Sequence, residues 1–346
     1  MNDDMLAICI FIGVFCVLYW RLSLLGKTMK KFNMIMLGPS KVGKSSLLAS
    51  MYHEFAKLEC DFSFLPSDDD ETAGRLDVAY HELSGMTKGG KFEVPKGGLR
   101  GNQEFQEFTF EVKHNDNKQF DLIFHDFRGG VIKGDNLKDL NELKARIEDS
   151  NVIFNMVDCV PMMELDGFGT ERHNSHTRIA ELLDKSLLQG RNYLVIFVLV
   201  KGEKYLHQGQ KNKLLAKFNE CHKSVFNVIG KKNKGAGKVA AVTIPVETLG
   251  CVEFHQFSHN PATGADVFDF IKMGKTLSPK DIDQVLKYAL AFALTQVAEN
   301  KNWWPRILEK FTGKNKQFQI ALKKFYRAKN EDYDKFGKTE LFQDNE

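Results

Sequence analysis

The sequence predicts an α/β fold: a three-layer sandwich around a mostly parallel sheet with one antiparallel strand, plus an N-terminal transmembrane helix and a C-terminal helical extension. Three observations point there. Four short, nearly all-apolar runs, Phe32–Leu37, Val152–Val157, Tyr193–Val200 and Val239–Val242, alternate with helical stretches, the signature of strands covered on both faces. Two further runs, Phe108–Val112 and Phe120–Phe124, are joined by a turn too short for a crossover, so they pair antiparallel. Met5 to Trp20 carries no charge.

The 346 residues suit one large domain or a domain with an appendage. With 43% hydrophobic and 27% charged residues the chain is globular, and its 28 Phe can fill a sizeable core. A net charge of +3 is too balanced for nucleic acid to be the main partner. The six cysteines, Cys9, Cys16, Cys60, Cys159, Cys221 and Cys251, form no C-x-x-C pair and read as free, mostly buried thiols of a reducing compartment.

The N-terminal segment, residues 1–26, is expected to be a membrane anchor spanning 5–25. Leu22 to Leu25 extends the apolar run past Arg21, which can snorkel towards headgroups, and Tyr19 and Trp20 sit where an interfacial aromatic belt falls. Asp3 and Asp4 precede the run, whereas Arg21, Lys27, Lys30 and Lys31 follow it. The positive-inside rule then predicts a single-pass protein with a short N-terminus outside and the main domain cytoplasmic. A signal peptide or a buried core helix is the alternative; the acidic start and the lack of an A-x-A site argue against the former.

The main domain is expected over residues 32–275. After the Phe32–Leu37 strand comes a glycine-bounded turn, Gly38 to Ser45, and a helix from about Ser46 to Leu58. Residues 66–102 are polar and glycine-rich, with an acidic run from Asp68 to Glu71, and read as a long mobile loop. The hairpin follows, with its turn at His114–Lys118, then a helix over Asn136–Asp149 and the Val152–Val157 strand. A helix over Arg178–Leu188 leads to Tyr193–Val200, the most hydrophobic strand. Lys211–Val228 reads as one helix, Gly230–Gly237 as a Lys/Gly-rich loop and Val239–Val242 as the last strand. The extension, residues 278–346, opens at Ser278-Pro279-Lys280-Asp281, an N-cap with Pro at the first helical position, and runs as helix to about Asn300. Its Leu286, Leu290 and Leu294 spacing, with Ala289, Ala293 and Ala298, suits core packing. A basic, aromatic tail follows, with Trp303, Trp304, Phe311, Phe318 and Phe325. Its Phe318, Leu322 and Phe325 stripe, beside Lys323, Lys324 and Arg327, favours packing on the domain over a membrane-surface or partner-binding helix.

The chemistry is concentrated in Gly38-Pro39-Ser40-Lys41-Val42-Gly43-Lys44-Ser45, a complete G-x4-G-K-S match between a predicted strand and a predicted helix. Glycines let backbone N–H groups turn towards phosphates, and the helix start, with Ser46, adds a positive dipole end. Lys44 would neutralise the β and γ phosphates, and Ser45 would offer its hydroxyl to Mg²⁺. This pattern predicts a P-loop NTPase. A second acid should close a strand beside that loop. Asp126 ends Phe120–Asp126 and opens Asp126-Phe127-Arg128-Gly129, a D-x-x-G in which the Gly129 N–H comes within reach of a γ-phosphate. Asp158, closing Val152–Val157, is the rival metal acid and would suit an ATPase.

On these residues the chain resembles the Ras-like, translation-factor-related class of P-loop GTPases over roughly residues 32–249. Gly38–Ser45 matches the phosphate box, and Asp126 with Gly129 matches D-x-x-G. The resemblance implies a guanine box at the end of the Tyr193–Val200 strand, where Val200-Lys201-Gly202-Glu203 stands. Lys201 matches the lysine that packs on the base, and Glu203 stands where an Asp bonds guanine N1 and N2. The stretch Thr243–Gly250 falls where the class has a loop against the base, and its spelling resembles prokaryotic GTPases of the double-GTPase type. Gly130 stands where a water-orienting Gln is common, which implies slow hydrolysis or a water-orienting group supplied from elsewhere. The switch threonine has three candidates, Thr72, Thr87 and Thr109. Arg128 is either a charge clamp on the γ-phosphate or a surface ion-pair residue.

The expectation is therefore a membrane-anchored GTP-binding protein, a slow GTPase switch using Mg²⁺ and an unidentified protein effector. Its catalytic residues would be Lys44, Asp126 and Gly129. A P-loop ATPase with Asp158 as metal acid, and a nucleotide-binding scaffold without turnover, are the alternatives.

Overall fold

A computed structural model describes residues 31–57, 62–67, 71–87, 92, 105–133, 136–262, 264–274, 276–299 and 316–342. The expected anchor at 5–25 and the aromatic residues Trp303, Trp304 and Phe311 lie outside them. Among the described residues no helix is long and apolar enough to cross a membrane.

The chain begins with β1 (Lys31–Leu37), α1 (Lys44–Phe55), β2 (Ser63–Pro66), α2 (Thr72–Met86), β3 (Gln106–His114) and β4 (Asn117–Asp126). It continues through α3 (Leu137–Asp149), β5 (Val152–Asp158), α4 (Cys159–Glu164), α5 (Gly167–Asn174), α6 (His176–Ser186) and β6 (Tyr193–Val200). Then come α7 (Glu203–His207), α8 (Lys211–Cys221), α9 (Lys223–Lys232), β7 (Val239–Pro245), β8 (Val252–Asn260) and β9 (Ala265–Lys272). The extension supplies α10 (Ile282–Glu299), α11 (Lys316–Arg327) and β10 (Asp334–Gly337).

Eight strands form one sheet in the order β10-β7-β6-β5-β1-β4-β3-β2, and β8 and β9 form a separate ribbon. Pairings β1–β4, β1–β5, β5–β6 and β6–β7 are parallel. Among the described residues two strands, not one, run against the rest: β3, paired antiparallel with β4, and β10, which the extension lays along β7. Because β2 pairs antiparallel with β3, it returns to the common direction.

Every residue of β6 is buried, and its side chains divide with the period of two that a central strand requires. Leu194, Ile196, Val198 and Val200 join the core on one face; Tyr193, Val195, Phe197 and Leu199 join the other. The first face is covered by α1, α10 and α11, whose Leu48, Phe292 and Leu322 lie in its cluster. The second is covered by α3, α6, α8 and α9 through Leu143, Leu183, Phe218 and Ile229. The extension therefore completes one helix layer: Leu286, Ala289, Leu290 and Ala293 are buried, and Phe325 packs edge-on to Phe62 at 5.3 Å.

Several elements differ from the sequence expectation. Residues 66–102 were expected as loop, yet α2 occupies Thr72–Met86 and buries Leu76, Leu83 and Met86. Its Gly74 and Gly85 and low apolar content conceal it; tertiary packing on α1 and β3 compensates. The expected single helix over 211–228 is α8 and α9, divided at His222, which is fully buried and stacks on Phe218 at 4.5 Å. Residues 230–232 of the expected loop remain in α9. Val239–Val242 is not the last strand: β7 reaches Pro245, and β8, β9 and β10 follow. Ser278 does not cap α10, which starts at Ile282; the intervening Lys280 instead pairs as an isolated antiparallel bridge with Glu247. The β3–β4 turn is tighter than expected, with Asn115 and Asp116 at φ 48 and 58, the left-handed pair of a two-residue hairpin.

Candidate functional site

The site forms where β1 and β4 end side by side. Their parallel register places Met36 opposite Asp126, so the turn leaving β1 passes the carboxylate that closes β4. The turn begins at Gly38, and Gly43, at φ 116, occupies the N-cap of α1 in the left-handed region that glycine tolerates. No side chain caps that helix and its first turn holds no acid, so the N–H groups at the start of α1 are left for an external acceptor.

Lys44 is buried and folds back over the turn, donating to the carbonyls of Gly38 at 3.1 Å and Pro39 at 3.4 Å. Its ammonium lies 3.9 Å from Asp126 Oδ1. Burial pulls the Lys44 pKa below its ordinary value, and the Asp126 charge offsets part of that pull. Ser45 Oγ donates to Asp126 Oδ2 at 3.4 Å, and Asp126 is only 1% exposed. The lysine, hydroxyl and carboxylate of the two predicted motifs thus meet at one point.

The segment after Asp126 lies directly on the turn. A Cβ at Gly129 would stand 1.9 Å from Ser40 N and 2.2 Å from the Pro39 carbonyl carbon, so only glycine permits this approach. Gly129 opens a short 3-10 helix to Lys133. A Cβ at Gly130, by contrast, would meet nothing within 4 Å. Arg128 is ion-paired with Asp139 at 2.8 Å and 46% exposed, the arrangement of a surface residue.

The end of β6 reaches the same turn from the other side. Lys201, at φ 58, donates to the Lys41 carbonyl at 2.9 Å and pairs with Asp158. Asp158 also caps α4 by accepting from Val160 N at 3.0 Å, and Asn174 bonds its backbone N–H and C=O. The rival metal acid is therefore engaged by Lys201 and by a helix end, whereas Asp126 is the acid bonded to Ser45.

Glu203 is brought close to the loop after β7 rather than exposed. It is 5% accessible and accepts from Leu249 N at 3.5 Å. Burial pushes its carboxyl up to about 7, against the backbone N–H groups of Glu203, Leu249 and Gly250, which favour the charged form; the nearby Glu247 charge raises it further. Ser50 of α1 donates to the Thr248 carbonyl at 3.1 Å, fastening this loop to the helix that leaves the Gly38–Ser45 turn.

Two of the candidate switch threonines bond to backbone groups through their hydroxyls. Thr72 Oγ1 accepts from Thr109 N at 3.2 Å, and Thr87 Oγ1 donates to the Ser84 carbonyl at 2.9 Å. Among the described cysteines, Cys159, Cys221 and Cys251 are free thiols, and among the described residues no cluster of three His, Cys, Asp or Glu is built to hold a metal. Sequence reasoning missed the Lys201–Asp158 pair, the Ser50–Thr248 bond and the group His207, Glu247 and Lys280 beside Glu203. No local pattern signals them, because their partners lie far apart in the chain.

The family described as Double-GTPase 2 matches residues 34–239, more than half of the chain. No curated protein matches. Similar solved structures include the S. cerevisiae Ski7 GTPase-like domain bound to GTP, at 17% identity and TM-score 0.36, covering 65% of this chain and 44% of that one. The same domain bound to GDP and inorganic phosphate aligns at 16% identity and TM-score 0.38 over 65% and 45% of the two chains. Sup35 complexed with GDP aligns at 12% identity and TM-score 0.31 over 64% and 39%. The chain thus spans less than half the length of each of these structures.

Proposed function

The chain belongs to the Double-GTPase 2 family, and from that premise we propose that it binds GTP with Mg²⁺ at the Gly38–Ser46 turn and acts as a slow, membrane-anchored GTPase switch. The observation that carries this reading is the Ser45–Asp126 hydrogen bond, 3.4 Å between the uncapped start of α1 and the end of β4. Hydroxyl and carboxylate oxygens are the hard donors that Mg²⁺ prefers, so Ser45 and Asp126 fit as its protein ligands. Bound there, the ion would neutralise charge on the triphosphate.

The chain's own residues divide the remaining work. Lys44, held over the Gly38 and Pro39 carbonyls, exchanges these contacts for phosphate oxygens. Backbone N–H groups of Pro39–Ser46, proline excepted, line the phosphates. Gly129 lies against Pro39 and Ser40, and its N–H is the contact that senses a γ-phosphate. Lys201 packs on the base and Glu203 accepts from guanine N1 and N2. The Arg128–Asp139 pair gives no support to a clamp role. Anchoring rests on the uncharged run from Met5 to Trp20 with its basic following flank, which would leave the main domain in the cytoplasm.

Labelled GTP and ATP, each competed by the other on the purified cytosolic part and on the full chain, test the proposal. Mg²⁺-dependent GTP binding that excess ATP fails to displace, and that Lys44→Ala removes, is expected. Equal competition by ATP overturns the guanine assignment, and no binding of either overturns the whole reading.

One observation favours a second reading, a nucleotide-binding scaffold without turnover. The Gly130 position opens onto free space and offers no side chain to orient water. Steady-state phosphate release above the Lys44→Ala background would exclude it.

A further inference from the structure

We propose that Lys280, through its clamp on Glu247, positions the loop that holds Glu203, so that the C-terminal extension sets the base selectivity of the nucleotide site. This rests on the GTP reading above and adds positioning residues to it.

The loop between β7 and β8 is held at both ends by the segment entering the extension. Glu247 and Lys280 exchange backbone hydrogen bonds, Glu247 N to Lys280 O at 3.1 Å and Lys280 N to Glu247 O at 3.0 Å. The Lys280 ammonium also straddles the Glu247 carboxylate at 2.9 and 3.0 Å. Two residues on, Ser278 N donates to the Leu249 carbonyl at 2.9 Å. Gly250, at φ 64, passes so close that a Cβ there would stand 1.8 Å from the Ser278 carbonyl oxygen. From the nucleotide side, His207 binds Glu247 at 2.9 Å and Glu253 at 2.6 Å, and Ser50 holds the Thr248 carbonyl. His207 sits on α7, the short helix that Glu203 itself opens.

The consequence is geometric and electrostatic. Leu249 N bonds the Glu203 carboxylate, so a shift of the loop moves the group that would read the base. Glu247 is 9% exposed on its side chain and carries a charge that disfavours ionised Glu203. Lys280 and His207 offset that charge. Reading guanine N1–H and N2–H needs two acceptor oxygens, hence an ionised carboxylate at a fixed place. The Lys280 side chain is 57% exposed, so its loss is a small matter for stability. Its effect should instead fall on the carboxylate that the loop orients.

The test compares the ratio of ATP to GTP dissociation constants in the full chain, with magnesium pyrophosphate as a competitor that reads the phosphate half alone. Lys280→Glu should lower the ratio by about fivefold or more, the bottom of the usual range for coupled sites, while pyrophosphate affinity stays within about twofold. Lys280→Arg should restore the ratio. Gly250→Ala, which forces the loop away from Ser278, should lower it at least as far. If the wild-type chain prefers GTP and Lys280→Glu keeps that preference, this inference falls alone. If loss of preference is matched by loss of pyrophosphate binding, the clamp is merely structural and the inference falls as well. If the wild-type chain shows no preference, the GTP reading has failed first.

Discussion

The Lys201 ammonium spans two structures: it donates to the Lys41 carbonyl at 2.9 Å and pairs with Asp158 on the neighbouring strand. The end of β6 is thereby tied to the Gly38–Ser45 turn. Lys201→Ala should loosen that turn and leave Asp158 without its cation. The expected loss is about 1–2 kcal/mol of stability, the low side for charged hydrogen bonds because Lys201 is 30% exposed. GTP affinity should fall more than affinity for magnesium pyrophosphate, since the same side chain would pack on the base. Calorimetric titration with both ligands measures the difference, and equal losses would refute a role at the base.

Gly129 and Gly130 are neighbours with opposite tolerances. A methyl group at Gly129 collides with the Pro39–Ser40 backbone, which cannot give way as a flexible side chain could. Gly129→Ala should push the 127–133 segment off the turn and lower GTP affinity by about tenfold or more, the range in which backbone clashes cost several kcal/mol at worst. Gly130→Ala meets only open space and should leave affinity within about twofold. Parallel binding curves for the two variants settle whether this contact matters.

The motifs could be read from sequence because each is local. A strand, a glycine-bounded turn and a helix follow one another from Lys31 to Phe55, and the hairpin announces itself by the short turn cluster His114–Lys118 between two apolar runs. The burial of β6 on both faces follows from eight apolar residues in a row. What escaped reading depends on contacts between distant segments. The α2 helix has glycines at both ends and finds its stability on α1 and β3. The break at His222 exists because that ring turns into the core against Phe218. The Glu247–Lys280 clamp joins residues 33 apart, and Lys201 reaches Lys41 across 160 positions. No periodicity encodes such pairs. The D-x-x-G acid is legible from its strand and ranks ahead of Asp158; that Asp126 bonds Ser45 while Asp158 pairs with Lys201 is again a matter of contacts between distant segments.

Lys44 is stored in a costly place. It is 8% exposed, its charged form is disfavoured by burial, and its partners are two carbonyls and a carboxylate at 3.9 Å. Lys44→Ala should therefore leave the thermal midpoint of the ligand-free protein nearly unchanged, or raise it slightly. Triphosphate affinity should fall by roughly 10–100-fold, corresponding to about 1.5–3 kcal/mol for hydrogen bonds to a charged group. A melting curve with and without magnesium GTP separates the two effects: the ligand-free midpoint persists and the ligand-induced rise disappears.

Glu203 supplies the pH dependence. Its ordinary carboxyl value of 4.5 is pushed up to about 7 by burial, so the folded protein holds a proton there that the unfolded chain releases. Its contribution to stability is then complete below about 4.5 and is lost as pH rises through about 7. Glu203→Gln should remove this slope and make the ligand-free protein relatively more stable at pH 8 than at pH 5, by at most about 3 kcal/mol for the full shift. Binding has the opposite sign. If Glu203 reads the base as proposed, pairing with guanine requires its ionised carboxylate, so GTP should bind more weakly as pH falls below 7, and binding at pH 6.5 should release a proton. Titration calorimetry in two buffers of different ionisation enthalpy counts that proton. A wild-type enthalpy independent of buffer, or a release unchanged in Glu203→Gln, would place the proton and the base contact elsewhere.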